Sequence, residues 1–222
     1  MNTETKIHLS KLETELIQNK AWILTKQNII KKVYQFFGKM HKIYQEILDR
    51  EISSIITSYK NTGGKISKGE NYLGLPYVIM DYPGLFTKEN IFAIRTMFWW
   101  GNFFSISLHL SGEKFQLQNN SPRLLFFLKE KNFYMCVNED EWQHHFERSN
   151  YIPVLNLNGN KFNEIVAGNF LKISKNIELN KWSDAPEFLE ETFEAIIEFL
   201  KISFPAGEKD LSPGFPKVGS GL

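Results

Sequence analysis

Cysteine is nearly absent from this chain: Cys136 is the one cysteine among 222 residues. No intrachain disulfide can form, and no cysteine-based metal cluster can be built. Cys136 lies in the apolar run "FYMCV" and reads as a small buried hydrophobe. Long hydrophobic stretches are missing too. The longest run to about four or five residues, against roughly twenty for a membrane-spanning helix. The first fifteen residues, "MNTETKIHLSKLETE", are polar and carry no basic segment followed by an apolar one, so no signal peptide is expected. Together these absences predict a soluble, cytoplasmic protein.

Charge of one sign is lacking overall. The formal net charge is +1, so neither nucleic acid nor an anionic membrane is expected as a partner. Motifs are missing as well. There is no G-x-S-x-G, H-E-x-x-H or C-x-x-C pattern and no EF-hand loop. The segment "GGKIS" looks like part of a phosphate-binding loop, but Tyr59 and Ile66 stand where that motif needs glycine and Ser or Thr. No cofactor is expected. Glu141 with His144 or His145 has metal-ligand spacing on a helix, yet adjacent histidines point about 100° apart there. No metal site is expected either, and "NEDEWQHHFERS" reads as a polar turn or short solvated helix started by Asn138, with Trp142 and Phe146 facing inward.

What the chain has in excess is aromatic surface: 14% of its residues, with nineteen Phe. It also has charge polarity. Residues 1–60 carry ten Lys/Arg against six Asp/Glu, and residues 176–200 one Lys against seven Asp/Glu, which fits two solvated helix faces.

Helices are expected at both ends. Ser10 caps a short one reaching about Asn19. A second starts from Thr25 and runs to Leu48 with apolar residues at steps of three and four, including Val33, Phe36, Phe37, Met40, Tyr44 and Ile47. A helix capped by Ser121 follows near 119–130, with Pro122 at its first position. The last is capped by Ser183 or Asp184 and carries the stripe Leu189, Phe193, Ile196, Ile197, Leu200. Between these lie extended segments. Residues 60–71, "KNTGGKISKGEN", read as a loop and as the internal boundary. Residues 1–205 are expected to form one domain and 206–222, rich in Gly and Pro, a flexible tail. "PYVIMDYP" reads as a strand ending at Pro83, and "FTKEN" as a helical turn. The fold class that follows is α+β: an antiparallel sheet around a central aromatic β-hairpin of about residues 91–111, covered by the long N-terminal helix and the C-terminal helix.

That hairpin, "IFAIRTMFWWGNFFSISLHLS", carries the candidate site. With Gly101 and Asn102 as a two-residue turn, Trp100 pairs with Phe103 and Ile94 with His109. Alternation then groups Trp99, Met97, Arg95 and Ala93 with Phe104, Ile106, Leu108 and Leu110 on a helix-facing side. The other side collects Trp100, Phe98, Thr96 and Ile94 with Phe103, Ser105, Ser107 and His109, and suits a pocket floor. A buried Arg95 needs an anion, and Asp81 on the preceding strand is the candidate. The site residues are therefore Trp100, Phe103, His109, Arg95 and Asp81. The expected function is a binding or interaction module that uses the aromatic, hydroxyl-rich hairpin face for a protein partner or a small ligand. An enzyme using Arg95, His109 and Asp81, or a structural subunit of an assembly, is the alternative.

Overall fold

The computed structural model describes residues 7–51, 54–112 and 121–205, with the side chains at 54, 55 and 121 left out. The expected tail at 206–222 lies outside the described residues. Seven strands form one antiparallel sheet in the order β1-β2-β3-β4-β7-β5-β6. They are β1 (Ile66–Tyr72), β2 (Leu75–Phe86), β3 (Ile91–Trp99), β4 (Phe103–Ser111), β5 (Tyr134–Cys136), β6 (Tyr151–Pro153) and β7 (Phe170–Glu178). The helices are α1 (Lys11–Gln18), α2 (Lys20–Asp49), α3 (Ser54–Tyr59), α4 (Ser121–Glu130), α5 (Gly159–Val166) and α6 (Ala185–Ser203). The protein is α+β, with the aromatic hairpin β3–β4 at the centre of the sheet.

Helix α1 starts as its sequence predicts. The Ser10 side chain accepts from the Glu13 N–H, and the Glu13 side chain accepts from the Ser10 N–H, a capping box. Helix α2 begins earlier than its apolar stripe suggests. Its cap is Asn19, accepting from the Trp22 N–H at 3.0 Å, not Thr25. The sequence places the start where burial starts, but the helix runs on as an exposed extension.

Alternation along β3 and β4 sends Phe92, Ile94, Thr96 and Phe98, with Phe104, Ile106, Leu108 and Leu110, to one face, all buried. Helices α2 and α6 cover that face. Tyr44 stacks on Phe193 at 3.9 Å and its hydroxyl meets the Thr96 hydroxyl at 3.3 Å. Phe36 and Phe37 pack on Phe104. Burying such aromatic side chains supplies most of the drive for this layer.

The hairpin register differs from the expected one by a residue. Trp99 pairs with Phe103, Phe98 with Phe104 and Ala93 with His109. The connection is Trp100–Gly101–Asn102, three residues long. Gly101 adopts φ +70°, Asn102 N–H donates to the Trp99 carbonyl at 3.1 Å, and Trp100 N–H turns to the Pro76 carbonyl at 3.1 Å. Trp100 thereby leaves the ladder, and the slip exchanges the faces of β4 relative to β3. Arg95, Met97 and Trp99 share their side with Phe103, Ser105, Ser107 and His109, facing away from the helices.

Three other expectations are corrected. Residues 66–71 of the anticipated loop fall in edge strand β1 (Ile66–Tyr72), paired with β2 from Ile66↔Met80 onward. Lys68, one of the lysines that made it read as a loop, suits a sheet edge, while Gly63 and Gly64 lie ahead of the strand at φ +83° and +87°. Strand β2 continues past Pro83 to Phe86, with a register shift between Asp81 and Gly84 where a bulge absorbs the proline. Residues 87–90 close the β2–β3 turn through mutual Thr87–Asn90 bonds instead of a helical turn.

Candidate functional site

The sheet face turned away from α2 and α6 is covered by a strap, residues 137–150, that links β5 to β6. It is neither helical nor loosely solvated. Asn138 and Asp140 explain why. The Asn138 side chain accepts from the Asp140 N–H at 2.8 Å, and the Asp140 side chain accepts from the Trp142 N–H at 2.9 Å. These i→i+2 bonds satisfy backbone that a helix would otherwise use.

Polar side chains of the sheet then pin the strap. Lys172 of β7, buried, donates its ammonium to the Glu141 carbonyl at 2.7 Å and to the Gln143 carbonyl. The Tyr72 hydroxyl accepts from the N–H groups of His144 and His145 at 2.6 and 3.0 Å. His109 Nε2 meets a carboxylate oxygen of Glu141 at 2.9 Å. Arg95 Nη1 meets His144 Nε2 at 3.1 Å. Phe146 closes the apolar part, stacked on Tyr151 at 4.6 Å and set edge-on to Phe103 at 5.1 Å.

Asp81 stands directly opposite Arg95 in the β2–β3 register. The pair is bidentate, Nε to Oδ1 at 2.7 Å and Nη2 to Oδ2 at 2.9 Å, so the carboxylate that a part-buried guanidinium requires is present. The guanidinium carbon lies 5.9 Å from the ring centres of both Phe86 and Trp142, within cation–π range. A guanidinium can only donate, so His144 Nε2 must be the acceptor and carries no proton. The electrostatics agree. Burial, with Lys172 and Arg95 nearby, holds His144 well below the usual imidazole range. Burial and the same two cations push His109 down to about 3. A neutral His109 therefore donates from Nε2 to the Glu141 carboxylate, and the contact is a hydrogen bond to an anion rather than an ion pair. Burial lowers Lys172 to about 8 and raises the Glu141 carboxyl.

Of the residues expected from the sequence, Arg95, Asp81 and His109 meet under the strap. His109 and Arg95 are connected through Trp142, whose ring lies 5.5 Å from the His109 ring. Trp100 and Phe103 stand apart from them at the hairpin tip. Trp100 is half-buried on the helix side, edge-on to Phe98 at 5.4 Å, and Phe103 is buried on the strap side. The serine-rich strip is no open floor: Ser105, Ser107 and His109 are buried beneath the strap. No family model, curated protein or solved structure matches the chain.

Beside the strap lies a groove of about 880 Å³. Its walls are strap residues 137–142, the start of β7 and helix α5. Glu139, Asp140, Glu141 and Glu164 face it, against the single cation Lys161, and Trp142 and Phe170 supply aromatic surface. Glu141 belongs to both the groove wall and the His109 hydrogen bond. Among the described residues no three His, Cys, Asp or Glu side chains gather as a metal site, and no helix is long and apolar enough to cross a membrane.

Sequence reasoning missed Lys172, Tyr72 and the strap contacts of Glu141, Trp142 and His144. Lys172 had a signal. Leu171 and Ile173 alternate with Lys172 and Ser174, the same alternation that places Leu108 and Leu110 opposite Ser107 and His109, and the strands pair Ser107↔Ser174 and His109↔Lys172.

Proposed function

We propose that the protein is a binding module and that its groove takes a cationic group, carried either by a small amine or by a Lys or Arg side chain of a protein partner. The observation that carries this reading is the groove itself. Its volume suits a ligand site, four carboxylates face one lysine, and the half-exposed Trp142 offers a ring face at the rim. The binding surface is thus displaced from the hairpin tip to the strap. A titratable group displaced from its ordinary range, such as Glu141 at the wall with His109 bonded behind it, marks a functional site more often than plain surface does.

A catalytic use of Arg95, Asp81 and His109 has less support. Arg95 is already engaged by Asp81 and His144, and a buried His109 that resists protonation is poorly matched to proton transfer near neutral pH.

Calorimetric titration tests the reading. One arm uses putrescine and arginine amide, the other a Lys/Arg-rich peptide; glutamate is the control. Expected is binding of at least one cationic probe and none of glutamate, weakened about ten-fold in Glu141→Gln or Trp142→Ala, the effect of losing one charge-assisted or cation–π contact. Tighter binding of the peptide than of the free amines assigns a protein partner. Equal affinity for glutamate, or affinity unchanged in both variants, removes the reading.

A further inference from the structure

Helix α2 spans thirty residues, about 45 Å at 1.5 Å per residue, yet its first fully buried side chain is Val33. Ile29 and Ile30 are the first to pack on the core, half-buried; the residues before them and all of α1 overhang the body, and α1 buries none of its side chains. The overhang is apolar. Trp22 and Ile30 continue the same helical stripe that buries Val33, Phe37 and Met40. With Leu16, Ile17 and Ile23 they line a groove of about 630 Å³ bounded by Lys68 and Glu70 of edge strand β1. On α1, Leu12 and Leu16 are exposed one turn apart, with the exposed Leu9 just ahead of the helix cap.

We infer that this arm is a self-association surface, in which α1 of a second copy of this chain packs into the α2–β1 groove and the exchange is reciprocal. Charge selects that occupant. The groove carries Lys26, Lys31 and Lys68 against Glu70, whereas α1 carries Glu13, held in the Ser10 cap, and the exposed Glu15, only loosely paired with Lys11 at 4.0 Å. Glu70 already engages Lys26 and Lys68, and Lys31 has no ion pair among the described residues. A symmetric pair brings the acidic helix of each copy to the basic groove of the other, as a two-fold interface requires.

The area is sufficient. Leu9, Leu12, Leu16, Ile17, Trp22 and Ile23 are 40–63% exposed. At roughly 100 Å² for a buried aliphatic side chain and roughly 200 Å² for Trp, they offer about 350 Å² of apolar surface. With apolar atoms at about 60% of an interface, two copies bury about 1,150 Å², above the roughly 1,000 Å² that a specific interface must clear. A lipid surface fits less well. The groove is concave, so a flat bilayer surface does not fill it as a helix does.

Light scattering after gel filtration of the full chain, over a concentration series, tests the inference. The expected result is a dimer whose dissociation constant rises at least ten-fold in Trp22→Glu with an unchanged circular dichroism spectrum. Lys31→Glu should weaken it, and adding Glu15→Lys should recover affinity. That exchange involves exposed side chains only, so it decides the matter even if Trp22→Glu misfolds. A wild-type monomer at every concentration overturns the inference. So does a monomer that co-sediments with phosphatidylserine vesicles, and so does a dimer indifferent to all three variants.

Discussion

The two faces of the one sheet are held by different chemistry. On the side of α2 and α6, the β3–β4 ladder presents Phe92, Ile94, Phe98, Phe104, Ile106, Leu108 and Leu110, with Thr96 the one polar group and bonded to Tyr44. On the strap side the same two strands present Arg95, Ser105, Ser107 and His109, joined by Lys172, Ser174 and Asp81 from their neighbours. The first face is non-directional burial that tolerates adjustment; the second is a set of specific bonds to a chain segment with no regular structure. The contrast shows how a single sheet supports both a core and a candidate binding site. The dry face supplies stability, and the polar face fixes the geometry of the groove wall.

The difference should be visible in mutants. The largest effect belongs to the helix side. Phe37→Ala removes a fully buried ring and is expected to cost about 3–5 kcal/mol in urea denaturation. A far smaller loss would mean that α2 is not a core helix along this stretch.

Acid should strike the strap face first. His109, lowered from 6.5 to about 3 in the folded state, stays neutral while an unfolded chain takes up a proton. The unfolded state therefore binds more protons between pH 6.5 and 3, and stability falls as pH falls through that window, by up to roughly 4–5 kcal/mol. His144 acts in the same direction. The raised Glu141 carboxyl opposes it just above its ordinary range. His109→Gln keeps a donor for Glu141 and removes one titration, so the slope of stability against pH should flatten there. An identical slope in wild type and variant would show that His109 is protonated in the folded protein.

Lys172→Met should sit lower, at about 1–3 kcal/mol. The carbonyls of Glu141 and Gln143 lose their donor, while the removal of a buried cation returns part of that loss. The wild-type protein should gain stability relative to this variant as pH rises from about 8 to 10.5. In that window the folded lysine is neutral and the unfolded one charged. The smallest expected effect on stability is Trp142→Ala, under about 1 kcal/mol for a side chain 45% exposed. Its consequence should appear in cation binding instead.

The same contrast explains what was legible beforehand. Apolar periodicity is local, so α2, α6 and the helix-facing residues of β4 could be read from spacing alone, whereas for β3 the same reading points to the wrong face. The Asp81–Arg95 pair could be read because a buried guanidinium demands an anion and Asp81 lies on the adjoining strand. The β3–β4 register could not, since it turns on Trp100 leaving the ladder to bond Pro76, a contact made outside the hairpin. The strap was illegible for a similar reason. Glu141, Trp142 and His144 look like a polar helix to local rules, whereas their positions are set by Lys172, Tyr72 and Arg95, which lie about thirty to seventy residues away in sequence.

The most direct test is amide hydrogen exchange at His144 and His145, whose N–H groups donate to the Tyr72 hydroxyl. If the strap is docked by these bonds, both amides exchange slowly in the wild type. In Tyr72→Phe and Lys172→Met they exchange quickly, while amides of α2 and β3 keep their protection. Fast exchange of both amides in the wild-type protein, or equal loss of protection on both faces in the variants, would contradict a strap held by polar anchors and, with it, the groove it walls.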